Sequence, residues 1–239
     1  MNRLLVPAPG VVGERIRAKQ AESHHLLDVQ RVARGRVVRV ADGRGWQADA
    51  ELVDVEDGCA VMLVLSVVVG GAVPTRVVVL GLPKPTALEE SLVLGTEAGA
   101  TAFILVRTLR TPPGELRPDR IERVLRAAVT QCGRADLPTI VHAGGAAGTA
   151  SLERALAGDV PAARYLATPG AHDADLAGPR PRQHAAPVAL AIGPEGGFAP
   201  EEQALLVANG FSALSLGPFL LRTPTAVAVG LGRLWGDDA

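Results

Sequence analysis

Val188-Ala189-Leu190-Ala191-Ile192-Gly193-Pro194-Glu195-Gly196-Gly197-Phe198-Ala199-Pro200 holds the fold in outline. The run up to Ile192 is apolar without interruption, the texture of a strand buried on both faces. Gly193-Pro194 stops it. Pro200 suits the first turn of a helix predicted over 200–208, and Gly210 suits its end. A strand, a glycine-rich turn and a helix, in that order, form one unit of a parallel sheet.

The same rhythm extends in both directions. Strands are predicted at 77–82, 101–106, 139–142, 163–168 and 213–216, and helices at 87–98, 119–132, 151–157 and 225–235. The helix at 119–132 puts Ile121, Val124, Leu125, Ala128 and Cys132 on one face, with Arg120, Arg123 and Thr130 elsewhere. Such alternation predicts an α/β domain whose mostly parallel sheet is covered on both faces. Residues 171–187 are polar and rich in Pro, Gly and His, and read as a surface loop.

Upstream the texture differs. Residues 36–40 are short and β-branched, and Trp46, Ala48, Ala50 and Leu52 alternate with Gln47, Asp49 and Glu51. Asp42-Gly43 and Asp57-Gly58 are hairpin-type turns, and 60–69 is a further apolar run. These first seventy or so residues read as strands of a small β-barrel or sandwich. Gly70-Gly71 and Pro74 punctuate the change, so the expected domains are 1–72 and 73–239.

The chain has 239 residues, 48% of them hydrophobic and 3% aromatic, so the core rests on Val, Leu and Ala. A net charge of −1 argues against a generic polyanion binder. Local clusters survive: eight basic residues against three acidic ones between Arg15 and Arg44, and seven arginines against three acids between Arg107 and Arg134. Such clusters fit phosphate contacts, or a solvated face enlarged by a composition of 22 arginines and two lysines. Cys59 and Cys132 lie far apart without metal-type partners, and read as buried reduced thiols of a cytoplasmic protein. No metal site, signal peptide or membrane span is expected.

Ligands of open α/β sheets bind beyond the carboxyl ends of the strands. Two such ends stand out: Ile192-Gly193-Pro194-Glu195-Gly196-Gly197-Phe198, and Leu216-Gly217-Pro218-Phe219-Leu220-Leu221-Arg222-Thr223. Neither carries a dinucleotide fingerprint or a P-loop. Each alone reads as a tight turn; together, on late strands taken to be adjacent, they suggest a pocket.

The pair Ile-Gly-Pro-Glu-Gly-Gly (192–197) and Leu-Gly-Pro…Leu-Arg-Thr…Thr-Ala (216–226) resembles the RsmE family. These SPOUT-class enzymes methylate N3 of a uridine in 16S ribosomal RNA. Supporting matches are Arg3, the stretch His25-Leu26-Leu27-Asp28-Val29-Gln30-Arg31 with Gly35 and Asp42-Gly43, Thr96-Glu97-Ala98-Gly99, and Gln131-Cys132-Gly133-Arg134 with Pro138. The resemblance implies a PUA-like N-terminal β-barrel and a SPOUT α/β domain with a C-terminal trefoil knot.

It further implies an S-adenosylmethionine site in the knot loops. Its residues would be Leu166, Ala167, Thr168, Ile192, Gly193, Pro194, Glu195, Gly196, Gly197, Leu216, Gly217, Leu221, Arg222, Thr223 and Ala226, with the segment 165–169 on the third side. A homodimer with active sites near the interface is implied as well. Arg222 is the candidate for stabilising charge on the uracil carbonyls. Glu195 is a possible base, read first as a helix cap or loop-ordering group. Small-subunit ribosomal RNA would be held by Arg3, His25, Arg31, Arg34, Lys84 and Arg134.

The sequence departs from the family at four places, one of them a shortened basic stretch between Leu109 and Asp119. Lys84-Pro85-Thr86-Ala87 keeps only the Lys of a Lys-Gly-Asp/Glu-Lys/Arg segment, Phe219 replaces an Arg, and Pro224 replaces a Glu. An RNA-binding protein with little catalysis, or a methyltransferase of another RNA, are the alternatives these departures leave open.

Overall fold

The computed structural model describes residues 3–68, 73–144, 146–168 and 186–235. The Gly70-Gly71 boundary, Pro169 and the loop expected at 171–187, apart from its last two residues, lie outside the described residues. The chain divides into two compact units, Met1–Ala72 with Arg126–Leu137, and Val73–Leu125 with Pro138–Ala239.

The first unit is a mixed five-stranded sheet, ordered β1-β3-β4-β5-β2, made of β1 (Arg3–Leu5), β2 (Arg15–Arg17), β3 (Val37–Ala41), β4 (Gln47–Glu56) and β5 (Cys59–Val68). The alternation seen in the sequence becomes register: Ala48, Ala50 and Leu52 are buried in β4 against Val38, Val40 and Met62. Asp57 (φ 48°) and Gly58 (φ 73°) both take left-handed backbone, the geometry that a two-residue hairpin demands. Asp42-Gly43 opens a longer loop instead. The Asp42 carboxylate accepts from the amides of Arg44 and Trp46, at 2.7 and 3.1 Å.

An all-strand reading of this unit misses one element. Helix α1 (Gln20–His24) continues into one π-helical turn, His25–Val29. Leu26 is buried there, and the Ser23 hydroxyl donates to the Lys19 carbonyl and accepts from the Ala60 amide. A segment this short buries too few residues to display a helical period.

The second unit is a six-stranded parallel sheet, ordered β11-β9-β10-β6-β7-β8. Its strands are β6 (Arg76–Gly81), β7 (Ala102–Val106), β8 (Thr139–His142), β9 (Ala163–Ala167), β10 (Val188–Ile192) and β11 (Phe211–Leu214). Every residue of β6 and β10 is buried. Val77, Val79, Ala189 and Ala191 face a core completed by Leu152 and Leu156 of α4 (Thr149–Leu156) and Leu206 of α5 (Pro200–Ala208).

The opposite face meets α2 (Pro85–Glu97) and α6 (Thr223–Arg233). Gly230 lets α6 settle on β10, since a Cβ there would lie 2.7 Å from Leu190. Gly95 does the same for α2 against Phe103. In α3 (Pro118–Cys132), Ile121, Leu125 and Ala128 are buried as expected. Cys132 is exposed and Cys59 half-buried, so neither is the buried thiol expected from the sequence.

β11 begins at Phe211, directly after Gly210 (φ 83°), two residues earlier than predicted. Leu216 therefore sits in the loop beyond it. Arg76 opens β6 although fully buried, its guanidinium 3.8 Å from the centre of the Trp235 ring and donating to the Leu234 carbonyl at 3.0 Å. Burial lowers its pKa.

Candidate active site

The two glycine-proline turns do not leave neighbouring strands. β9 lies between β10 and β11. The adjacency expected from the sequence is thereby corrected, and the end of β9 becomes the third wall. Leu166, Ala167 and Thr168 stand between the turns, and all three segments line one cavity of about 800 Å³. A fourth wall comes from the β6–α2 junction, through Lys84, Thr86, Ala87 and Glu90.

The first turn is built by close approach. A Cβ on Gly193 would lie 2.8 Å from the Gly197 backbone and from the Phe198 amide nitrogen, so nothing larger than glycine fits. The Gly197 amide donates to the Pro194 carbonyl at 2.8 Å, and Gly197 holds φ 71°. Pro194 packs on Gly81 at the end of β6, where an added Cβ would lie 2.6 Å from the Pro194 Cδ.

Side chains pin this turn from outside. Arg110 donates from Nη1 to the Gly196 carbonyl at 2.7 Å. Glu195 accepts the Lys84 amide at 3.1 Å, so it orders a loop, though it bridges to the start of α2 and does not cap α5. The cap of α5 comes from Glu202, fully buried, whose carboxylate accepts the Ala199 amide at 2.7 Å and the Leu109 amide at 2.8 Å. Glu202 gave no distinctive sequence signal, because a glutamate in a first helical turn is ordinary.

The second turn is braced differently. Gly217 takes φ 120°, and its amide donates to the Ser215 hydroxyl at 3.3 Å. The Arg233 guanidinium donates to the Ser215 carbonyl at 2.8 Å. The Thr223 hydroxyl reaches the Gly193 carbonyl at 3.5 Å, linking the two turns. Pro224 falls in the first turn of α6, where its missing N–H costs nothing. The helix begins at Thr223, two residues earlier than predicted, and points its positive end at the cavity.

All the residues expected around the cofactor, Leu166 to Thr168, Ile192 to Gly197, Leu216, Gly217, Leu221 to Thr223 and Ala226, line this one cavity. Arg222 is exposed on its wall. The lining residues that sequence reasoning left out are Thr86, Ala87, Glu90 and Gln203, while Phe198, Phe219, Leu220 and Pro224 fall within the two quoted segments and the helix start after them. The rule that ligands sit at carboxyl ends of strands applies equally to β6, and would have found the group on α2.

The residues expected to hold RNA are divided between the two units. Lys84 lines the cavity in the second unit, while the others belong to the first. His25 and Arg31 are exposed, Arg31 in left-handed backbone at φ 51°. Arg34 pairs with Asp54 at 2.6 Å, and Arg134 with Asp136. Arg3 is half-buried and packs against Gly133, where a Cβ would lie 3.0 Å from its guanidinium. Desolvation, then the nearby Arg39 charge, lowers the Arg3 pKa. Among the described residues no group of acidic, His and Cys side chains could hold a metal ion, and no helix is long and apolar enough to cross a membrane.

A parallel sheet whose late loops enclose one cavity is the architecture of an RNA methyltransferase domain, and residues 73–235 match the family of that description. A Synechocystis relative, named ribosomal RNA small subunit methyltransferase E, is 31% identical over 237 residues, covering 97% of this chain and 76% of its own. The Mycobacterium bovis protein of that name is 31% identical over 220 residues, covering 89% and 83%. The chain belongs to this ribosomal RNA small subunit methyltransferase E family, the RsmE family. Its fold is that of the Neisseria gonorrhoeae member solved bound to S-adenosyl methionine, with a TM-score of 0.83 over 100% of both chains at 22% identity.

Proposed function

We propose that this protein transfers a methyl group from S-adenosylmethionine to N3 of a uridine in 16S ribosomal RNA. Membership of the RsmE family supports the reaction class and the RNA substrate. The observation that carries the reading is the single cavity enclosed by the two glycine-proline turns and the end of β9. Its volume of about 800 Å³ falls within the roughly 300–1,000 Å³ of small-molecule sites.

The residues present fit the cofactor. Leu166, Ile192, Leu216 and Leu221 give aliphatic walls for a nucleoside, and Gly193, Gly196 and Gly217 leave main-chain groups bare for its polar edges. Bound there, the sulfonium supplies an electrophilic methyl carbon for in-line displacement. The chain's own part is to orient and to stabilise. The braced turns fix the cavity walls, and positioning supplies much of the rate in such a transfer.

Uridine N3 loses its proton to solvent before the methyl arrives, and the anion so formed spreads its charge over the ring carbonyls until the new N3–carbon bond takes it up. Arg222 and the N-terminus of α6 oppose that charge from one wall. Glu195 accepts the Lys84 amide, which supports a bracing role for it.

In this reading the second unit is a SPOUT methyltransferase domain with a C-terminal trefoil knot, as the family resemblance implies. The chain passes from β9 to insert β10 between β9 and β6, and then crosses β9 to add β11 at the edge. The first unit is a PUA-like barrel that contacts RNA through the exposed His25 and Arg31, with Arg3, Arg34 and Arg134 bracing it. The protein works as a cytoplasmic homodimer.

Mass spectrometry of ribosomal RNA nucleosides from a deletion strain tests the assignment. Loss of 3-methyluridine is expected, and its retention would reject the target. Phe219 and Pro224, standing where the family carries Arg and Glu, favour a second reading as an RNA-binding protein with little catalysis. Calorimetric titration with S-adenosylmethionine separates the two, since clear binding is expected only of the enzyme.

A further inference from the structure

The chain has four phenylalanines. Phe103, Phe198 and Phe211 are 0%, 3% and 3% exposed, whereas Phe219 is 80% exposed. It lies on the loop between β11 and α6 and lines the same cavity as Arg222. A large ring left in water forgoes the burial that the other three obtain. Its loop is not a slack tip: Arg233 and the Gly217 amide hold Ser215 on one side, and Thr223 and Pro224 are buried on the other. The ring is thus presented on a fixed support at the mouth of a cavity.

Two kinds of partner could cover it. A second copy of the chain could reach it at the edge of a dimer interface, against Phe219 and Leu220, the exposed large apolar residues of this loop. The same cavity is lined by Arg222 and Lys84, cations suited to a nucleotide's phosphate and carbonyl oxygens. A planar base meets both demands, an apolar face for the ring and oxygens for the cations.

We propose that Phe219 is the platform on which the target base stacks as it enters the cavity, replacing aromatic contacts that this chain, 3% aromatic, offers almost nowhere else. The proposal rests on the reading of the cavity as a site for methylating RNA. It makes Phe219 a substrate-positioning residue, with the ring on the base face and Arg222 at its edge.

The test compares Phe219→Ala, Phe219→Leu and Phe219→Trp in the full chain. Phe219→Ala should lower kcat/KM on 16S ribosomal RNA by a factor on the order of ten to a hundred, the worth of one stacked base. Affinity for S-adenosylmethionine and the mass by light scattering should stay unchanged. Phe219→Trp should restore activity and Phe219→Leu should not.

A second readout does not need methylation. The indole introduced by Phe219→Trp should be quenched by a short oligouridylate, beyond any quenching of Trp46 and Trp235 in the parent. Equal activity of Phe219→Ala and parent, full rescue by Phe219→Leu, a change of oligomeric state, or no added quenching would each overturn the proposal. Quenching without methyl transfer in the parent would leave the stack standing and remove the catalytic reading instead.

Discussion

Arg222 sits at the N-cap of α6 with an extended backbone (φ −64°, ψ 151°), which turns its side chain away from the helix that it starts. Its carbonyl already accepts the Ala226 amide, so the backbone has a structural duty that any residue could perform. The guanidinium does not share that duty. Arg222→Ala should therefore lower kcat by about 10²–10³, the usual loss for a donor aimed at developing negative charge. The melting temperature should be unchanged, and an active variant would remove Arg222 from the mechanism. Gly193→Ala is the opposite case. Its new methyl would meet main chain at 2.8 Å, and main chain gives way less readily than the end of a flexible side chain. Overpacking of about 1–3 kcal/mol is expected. Calorimetry should show S-adenosylmethionine binding weakened by roughly five- to 150-fold, the equilibrium factor of that strain when it falls on the site.

Helices and loops of the second unit depend on a few buried or paired acids. Glu202 satisfies two amides from separate segments, the start of α5 and the loop after β7. Glu202→Ala leaves both unpaired, at about 1–3 kcal/mol each, which denaturant unfolding should register as a lower midpoint. Glu202→Gln keeps one acceptor oxygen and should lose less. On the surface, Glu89 of α2 takes two 2.8 Å bonds from the Arg120 guanidinium of α3. That hydrogen bond is the largest cause holding the Glu89 pKa below its ordinary value. A carboxylate with a depressed folded pKa contributes stability that is present above the unfolded value and lost as pH falls through the folded one. Melting curves of Glu89→Gln should therefore converge with those of the parent as pH falls below the ordinary glutamate value and through the lowered folded one. The gap at neutral pH should be small, because the pair is solvent-screened.

Over the whole chain, the expected boundary near residue 72 is not where every contact of the first unit ends. Residues Arg126–Leu137 belong to it, and Val129, Ala135 and Leu137 complete a small apolar cluster with Leu5 and Ala41. Gly43 supplies the carbonyl that accepts the Leu137 amide at 2.9 Å. A fragment of residues 1–72 should consequently melt several degrees below the same unit in the intact chain, the shift about 1 kcal/mol produces in a small domain. A fragment that melts as the intact unit does would show that the distant segment adds nothing.

The sequence by itself determined the alternation of strand and helix from residue 77 onward, the hairpin at Asp57-Gly58, and the two glycine-proline turns that resemble one family. Each is a local property: an apolar run, a pair of residues tolerant of left-handed backbone, or a motif at the end of a strand. Tertiary structure alone decided that β9 lies between the two turns, that α2 supplies a wall, and that Glu202 and not Glu195 caps α5. It also decided which arginines are spent on neighbours and which aromatic ring is left in water. Strand order and side-chain pairing join residues tens of positions apart, and no period or spacing along the chain records which distant partner satisfies a given amide or covers a given ring.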